Sequence, residues 1–213
     1  MIYNQDCMEA MKDMSDNQFD LAIVDPPYGI GADKKRGDTG KNSHIKQKDY
    51  HFGDWDSKIP SQEYFNNLIR VSKNQIIWGG NYFLSYLAAT SCFVVWDKKN
   101  GSNLYADCEL AWTSFNSAVR KFEWKWHGFL QQNMKNKQNR IHPTEKPIQL
   151  YEWLLINYAK EGDTILDTHL GSGSIAIACH NLGFELTGYE IDKEYFEAAK
   201  KRIEQHKQQG RLW

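Results

Sequence analysis

Leu21-Ala22-Ile23-Val24-Asp25-Pro26-Pro27-Tyr28 decides how this chain is read: four apolar residues, an acid, two prolines and an aromatic ring. An apolar run this short, with β-branched members, is the pattern of a strand buried on both faces inside a parallel sheet. Asp25 then falls at the strand's carboxyl end, where open α/β sheets bind ligands. Pro26 and Pro27 cannot donate to a ladder and hold the following backbone extended. The stretch therefore aims a carboxylate, the Pro26 carbonyl and the Tyr28 ring at one crevice. Two acceptors beside a stacking ring suit the amino group of a planar heterocycle such as adenine or cytosine. The plainer alternative is a strand ending in a proline-rich turn whose acid caps the next segment.

Outward from this stretch, strand and helix signals alternate. On its amino side, Met1 to Tyr3 reads as a short strand and Asp6 as the cap of a helix over Cys7 to Met14. On its carboxyl side come a helix over Gln62 to Val71, a strand over Gln75 to Trp78, a helix over Phe83 to Ala89, and strands over Cys92 to Trp96 and Glu109 to Phe115. Then follow a helix (Pro147 to Ala159), a strand (Thr164 to Asp167), a helix (Ser174 to Leu182), a strand (Phe184 to Glu190) and a helix (Lys193 to His206). This alternation predicts an α/β fold: a mostly parallel sheet with helices on both faces. A length of 213 residues suits a single domain over 1–213. Residues 31–59 are polar and aperiodic, which predicts a mobile loop that orders around a partner.

Composition excludes several classes. No early apolar stretch resembles a signal peptide and no run is long enough to span a bilayer, so no membrane is expected and the cytoplasm is the expected location. Cys7, Cys92, Cys108 and Cys179 form no CxxC pair, and His142 has no second ligand at metal spacing, so neither a metal site nor a disulfide framework is expected. The net charge of −1 gives no support to a nucleic-acid partner by itself. Its distribution is more informative: Arg120, Lys121, Lys125, Lys135, Lys137 and Arg140 stand against the single acid Glu123, with Phe122, Trp124, Trp126, His127 and Phe129 interleaved. Such a segment can grip phosphates and stack on bases. A solvated face over core aromatics would look the same.

Asp167-Thr168-His169-Leu170-Gly171-Ser172-Gly173-Ser174 follows one strand and opens a helix. Its glycines allow close approach of a ligand to the backbone, and the helix start offers unpaired amides. It is neither a dinucleotide fingerprint nor a phosphate loop with its lysine. A second strand ends at Glu190, about 20 residues on, where nucleotide-binding folds place an acid on ribose hydroxyls. Asp192 can serve there or cap the next helix. His142-Pro143-Thr144-Glu145-Lys146-Pro147 precedes another helix, with Pro147 suited to its first position and Thr144 and Lys146 able to hold a carboxylate near its start.

Together, DPPY at 25–28, HPTEKP at 142–147 and DTHLGSGS at 167–174 resemble the amino-group DNA methyltransferases that use S-adenosylmethionine. The order, catalytic motif first and cofactor glycines last, is that of their circularly arranged beta group. The blocks IIWGGNYF, VVWDKKNG and ADCELAWTSF are similar to the short methylases of phages and prophages. The resemblance implies a Rossmann-like methyltransferase fold in which Asp25, Pro26, Pro27 and Tyr28 form the catalytic site. It assigns Asp6 and Cys7 to the cofactor adenine, Glu190 to its ribose and Thr144 and Lys146 to its methionine end. Asp167, His169, Gly171, Ser172, Gly173 and Asp192 complete the expected cofactor set, although the family usually has Phe where His169 stands.

The implied reaction is methylation of adenine N6 in double-stranded DNA, by base flipping and direct in-line transfer. Methylation of cytosine N4, methylation of an RNA or protein amide, and a non-catalytic DNA-binding module are the alternatives. Residues 98–140 are expected to form a small target-recognition insert, and a homodimer is common in the resembled group.

Overall fold

The computed structural model describes residues 1–32, 55–101, 106–127, 130–135 and 137–209. Eight strands form one sheet in the spatial order β1 (Ile2–Asn4), β10 (Glu185–Glu190), β9 (Thr164–Asp167), β2 (Phe19–Val24), β3 (Ser72–Trp78), β5 (Cys108–Thr113), β4 (Phe93–Asp97) and β6 (Arg120–Glu123). From β1 across to β3 every pairing is parallel, as is β4 with β6, while β5 runs against both of its neighbours. The expected α/β class and mostly parallel sheet are therefore present. A separate antiparallel pair joins β7 (Trp126–His127) to β8 (Leu130–Gln131).

The pleat explains why the deciding stretch is apolar throughout. Leu21 and Ile23 pack with α3 (Ile148–Tyr158), α4 (Ser174–Leu182) and α5 (Lys193–Gln209), whereas Ala22 and Val24 pack with α1 (Cys7–Lys12) and α2 (Gln62–Val71) on the opposite face. Successive side chains enter different cores, so neither half of the run can be polar. Burying a side chain of this size is worth about 1.5–3 kcal/mol.

Strand β9, late in the sequence, pairs with β2 through Leu21–Ile165 and Ala22–Leu166. Asp20 fixes that register: one carboxylate oxygen accepts both the Thr164 amide and hydroxyl at 2.9 Å, and the other meets Lys73 of β3 at 2.6 Å. The β9–α4–β10 unit covers one face and β2–α2–β3 the other, so connections diverge between β9 and β2. The carboxyl ends of these strands open onto a crevice, which is where ligands bind in such sheets.

The structure departs from expectation in two places. Phe83 to Ala89 is no helix: a 3₁₀ turn at Gly80–Tyr82 leads into turns in which the Tyr86 and Leu87 amides both return to the Phe83 carbonyl. Phe83 is fully buried, and the Ala88 carbonyl accepts Trp112 Nε1 at 2.8 Å, so packing overrides helix preference. The segment 98–140, expected as a small target-recognition insert, supplies β5 within the main sheet and β6 at its edge. Its aromatics serve the core: Phe122 and Trp124 stack at 6.1 Å against it, and Trp126 is 5% exposed. The second departure is at Pro147, which caps α3 from outside rather than opening it. Residues 33–54 of the expected mobile loop, together with Phe129, lie outside the described residues. No helix among the described residues is long and apolar enough to cross a membrane.

Candidate active site

Asp25 leaves the end of β2 with its side chain 17% exposed. One carboxylate oxygen accepts the Tyr28 hydroxyl, and the other meets the ammonium of Lys146, whose side chain is only 2% exposed. Lys146 Nζ also lies 3.3 Å from the Tyr28 oxygen and 3.2 Å from Glu109 Oε2, and it sits over the Trp78 ring at 5.3 Å. Burial works against the ammonium, but Asp25 and Glu109 raise its pKa above the usual lysine value. Burial likewise lifts the Asp25 carboxyl while Lys146 opposes the shift. Glu109 is held down to about 2: burial pushes it up, and the ammoniums of Lys146 and Lys98 outweigh that.

Lys146 directly precedes Pro147, the N-cap of α3, and from there its ammonium reaches the Asp25 corner. Thr144 is exposed, its hydroxyl 3.1 Å from His142 Nδ1. Tyr28 also differs from an open platform. Its ring stacks on Tyr82 at 5.0 Å and lies against Gly79, where a Cβ would fall 2.2 Å from the ring. Gly79 also has φ +71°, so glycine is required there twice over. The outward aromatic surface belongs to Tyr82, which is 42% exposed. Pro26 is buried, and Pro27 turns toward a neighbouring cavity.

That cavity, of about 230 Å³, runs along the ends of β1, β10 and β9, and Asp6, Cys7, Tyr64, His169 and Glu190 contribute to its walls with Pro27. Glu190 accepts the Gly171 amide at 2.8 Å and the Asp192 amide at 3.0 Å. Asp6 accepts the Met8 amide at 2.7 Å, capping α1. His169 rests edge-on to Tyr64 at 5.4 Å, and Thr168 Oγ1 links the two through contacts of 2.9 and 2.7 Å. Burial lowers the His169 pKa to about 4, so the ring is neutral at physiological pH and presents an aromatic edge without charge. Burial likewise pushes the Cys7 thiol up to about 12.

Other expected residues stand behind the walls. Asp167, 2% exposed, accepts the His169 amide at 3.0 Å, and burial pushes its carboxyl up to about 8. Gly173 packs on α5, where a Cβ would meet Ile203 at 2.9 Å, while Gly171 turns with φ +51° beside His142. Ser172 pairs with Ser174 at 3.1 Å, and Asp192 caps the start of α5 through the Glu194 and Tyr195 amides. No group of side chains among the described residues could hold a metal ion.

Sequence reading missed three residues. Asp56, 1% exposed, accepts the amides of Tyr28, Gly29 and Ala32 at 2.7–2.9 Å and pins the turn after Pro27. Arg202 reaches from α5 to the Ser172 carbonyl at 2.8 Å and to Glu145 at 3.2 Å, tying the HPTEKP turn to the glycine turn. Glu109 is the third. None lies in a local pattern; an acid inside the otherwise apolar strand β5 was the only signal for Glu109.

The family model of DNA methylases matches residues 95–201. Among relatives, the type II methyltransferase M.HpaI of Haemophilus parainfluenzae is 28% identical over 92% of this chain and 72% of its own length. The type II methyltransferase M2.DpnII of Streptococcus pneumoniae is 25% identical over 96% and 89%. Among solved structures, the M1.HpyAVI–SAM complex aligns with TM-score 0.61 at 24% identity over 95% of this chain and 98% of that one. The PvuII cytosine-N4-specific DNA methyltransferase aligns with TM-score 0.59 at 13% identity over 96% and 90%. The chain belongs to the N6/N4 DNA methylases, S-adenosylmethionine-dependent enzymes that methylate amino groups of DNA bases.

Proposed function

We propose that this chain methylates the exocyclic N6 of adenine in double-stranded DNA, with the target base rotated out of the duplex into the crevice beside Asp25. The observation that carries the reading is adjacency: the Asp25 corner and the Glu190 cavity occupy neighbouring strand ends and share Pro27. The cavity residues fit the adenosine part of S-adenosylmethionine. Glu190, oriented by two amides, retains acceptor capacity for ribose hydroxyls, and Cys7 and neutral His169 offer uncharged walls. When bound, the cofactor supplies a methyl group carried on a sulfonium.

The acceptor nitrogen gains positive charge as its bond to carbon forms, and it then sheds one of its two protons. Asp25 and the Pro26 carbonyl accept hydrogen bonds from that amine and stabilise the charge as it develops. Holding the nitrogen in line contributes further. Tyr82, exposed and stacked on Tyr28, gives the extruded base a surface to rest on; extrusion itself costs a few kcal/mol. Thr144, Lys146, Asp167, Gly171, Ser172, Gly173 and Asp192 support these contacts from behind. Arg120, Lys121, Lys135 and Lys137, all exposed, contact the duplex, and the enzyme acts in the cytoplasm, with a homodimer the assembly to examine by light scattering.

The DPPY form, commoner in adenine methylases than in the N4 group, supports adenine. Cytosine N4 is the second reading, favoured by the fold shared with the PvuII enzyme. Base-resolution sequencing of DNA from expressing cells separates the two. The Asp25→Ala variant is expected to bind S-adenosylmethionine normally while methyl transfer falls by about 100-fold or more. Undiminished transfer by that variant removes the catalytic assignment.

A further inference from the structure

The Asp25 carboxylate is paired with a buried ammonium, and that pairing bears on how well it can stabilise a cation. An acid neutralised by lysine acts on a nitrogen becoming positive as a dipole, and a dipole's influence is weaker and shorter in range than that of a net charge. Glu109 alters the balance. Its Oε2 lies 3.2 Å from Lys146 Nζ, so Asp25, Lys146 and Glu109 form a partly buried cluster of alternating sign, negative by one charge before Lys98 is counted. Lys98 pairs with the other oxygen of Glu109 and rests over the Trp96 ring at 5.1 Å, separated from Asp25 by the rest of the cluster.

The direction of β5 makes this possible. Because β5 alone is antiparallel, its first residues lie at the carboxyl edge of the sheet: Cys108 pairs with Asp97 at the end of β4, and Ala111 with Trp78 at the end of β3. A strand parallel to its neighbours would carry Glu109 to the opposite edge, far from Asp25.

We propose that Glu109 is a positioning residue for methyl transfer: by sharing the Lys146 ammonium with Asp25, it leaves the Asp25 carboxylate electrostatically available to the nitrogen that becomes cationic. The proposal rests on the catalytic reading of Asp25. A purely structural ion pair is the competing role, since loss of a buried charge partner destabilises a protein whatever the site does.

The two roles separate in single-turnover transfer of tritiated methyl at saturating S-adenosylmethionine, with unmethylated bacterial chromosomal DNA as acceptor and melting recorded in parallel. Glu109→Gln is expected to slow the transfer step by about 10- to 100-fold with cofactor affinity retained, and Glu109→Asp to recover most of the rate. Lys98→Gln removes a positive charge from the same cluster. It is expected to lower the melting temperature without slowing transfer, whereas a structural role predicts that both variants lose rate in step with stability. With Lys146→Met in place, Glu109→Gln is expected to have no additional effect on the rate, because its action runs through the ammonium. An unchanged rate in Glu109→Gln, or a slowed step in Lys98→Gln, overturns the proposal; if Glu109→Gln does not fold, Lys98→Gln still decides. Asp25→Ala run alongside distinguishes the failures: if that variant still transfers methyl, the catalytic reading falls, and if only the Glu109 result fails, this inference falls alone.

Discussion

The two sides of the crevice hold their acids by different means. Along β1, β10 and β9, Asp6, Glu190, Asp167 and Asp192 all accept main-chain amides, most from residues two positions away. At the end of β2, Asp25 is met by side chains, one of them Lys146, 121 positions distant in sequence. Amide-held acids are fixed as soon as their turns form. An acid held by ions is fixed only when the whole sheet has assembled, and it can exchange partners afterwards. The Glu190 side is accordingly preformed, while the Asp25 side is a balance of charges that depends on distant parts of the chain.

Breaking that balance should give the largest effect. Lys146→Met leaves Asp25 and Glu109 facing each other without a shared cation, and unfolding free energy should fall by about 3–5 kcal/mol in equilibrium denaturation. A loss near zero would mean that the Asp25 side is no more dependent on distant ions than the Glu190 side, and the contrast would disappear.

An effect of opposite sign is expected across the crevice. Burial raises the Asp167 pKa from 3.8 to about 8, so the folded state retains a proton that the unfolded chain releases. Wild-type stability conferred by that proton is complete below pH 3.8 and is lost as pH rises toward about 8. Asp167→Asn keeps the acceptor for the His169 amide and removes the titration. Its melting temperature relative to wild type should therefore climb between pH 4 and about 8 and then level off. A difference independent of pH would show that the acid is not buried as described.

The smallest effect is expected at His169. Because the ring is neutral above about pH 4, cofactor affinity measured by calorimetry should be flat through neutral pH. His169→Phe forfeits the Thr168 contact, worth about 0.5–1.5 kcal/mol, and should shift affinity by no more than about tenfold. A steep pH dependence would mean that charge, rather than an aromatic edge, matters at this wall.

How far the chain could be read follows the same division. The alternation of Leu21, Ala22, Ile23 and Val24 between two cores, the Asp6 cap and the glycine turn are recorded within a few residues, and each is found where local chemistry indicates. Phe83 to Ala89 misled because its apolar spacing suits a helix, while burial of Phe83 and the Trp112 contact impose turns. The aromatics at 122–126 left two readings open, because their sequence cannot say whether rings face solvent or core, and Trp126 faces the core.

The sequence by itself determined the α/β class, the family and the motifs at 25–28, 142–147 and 167–174, because period-two strands, capped helices and proline or glycine turns are short-range properties of a chain. Only the tertiary structure decided that Lys146 belongs with Asp25, that Tyr82 rather than Tyr28 faces outward, and that Glu109 completes the charge cluster. These depend on strand order and on the reversed direction of β5, which are set by how both cores close around the sheet and leave no trace in the neighbourhood of any one residue.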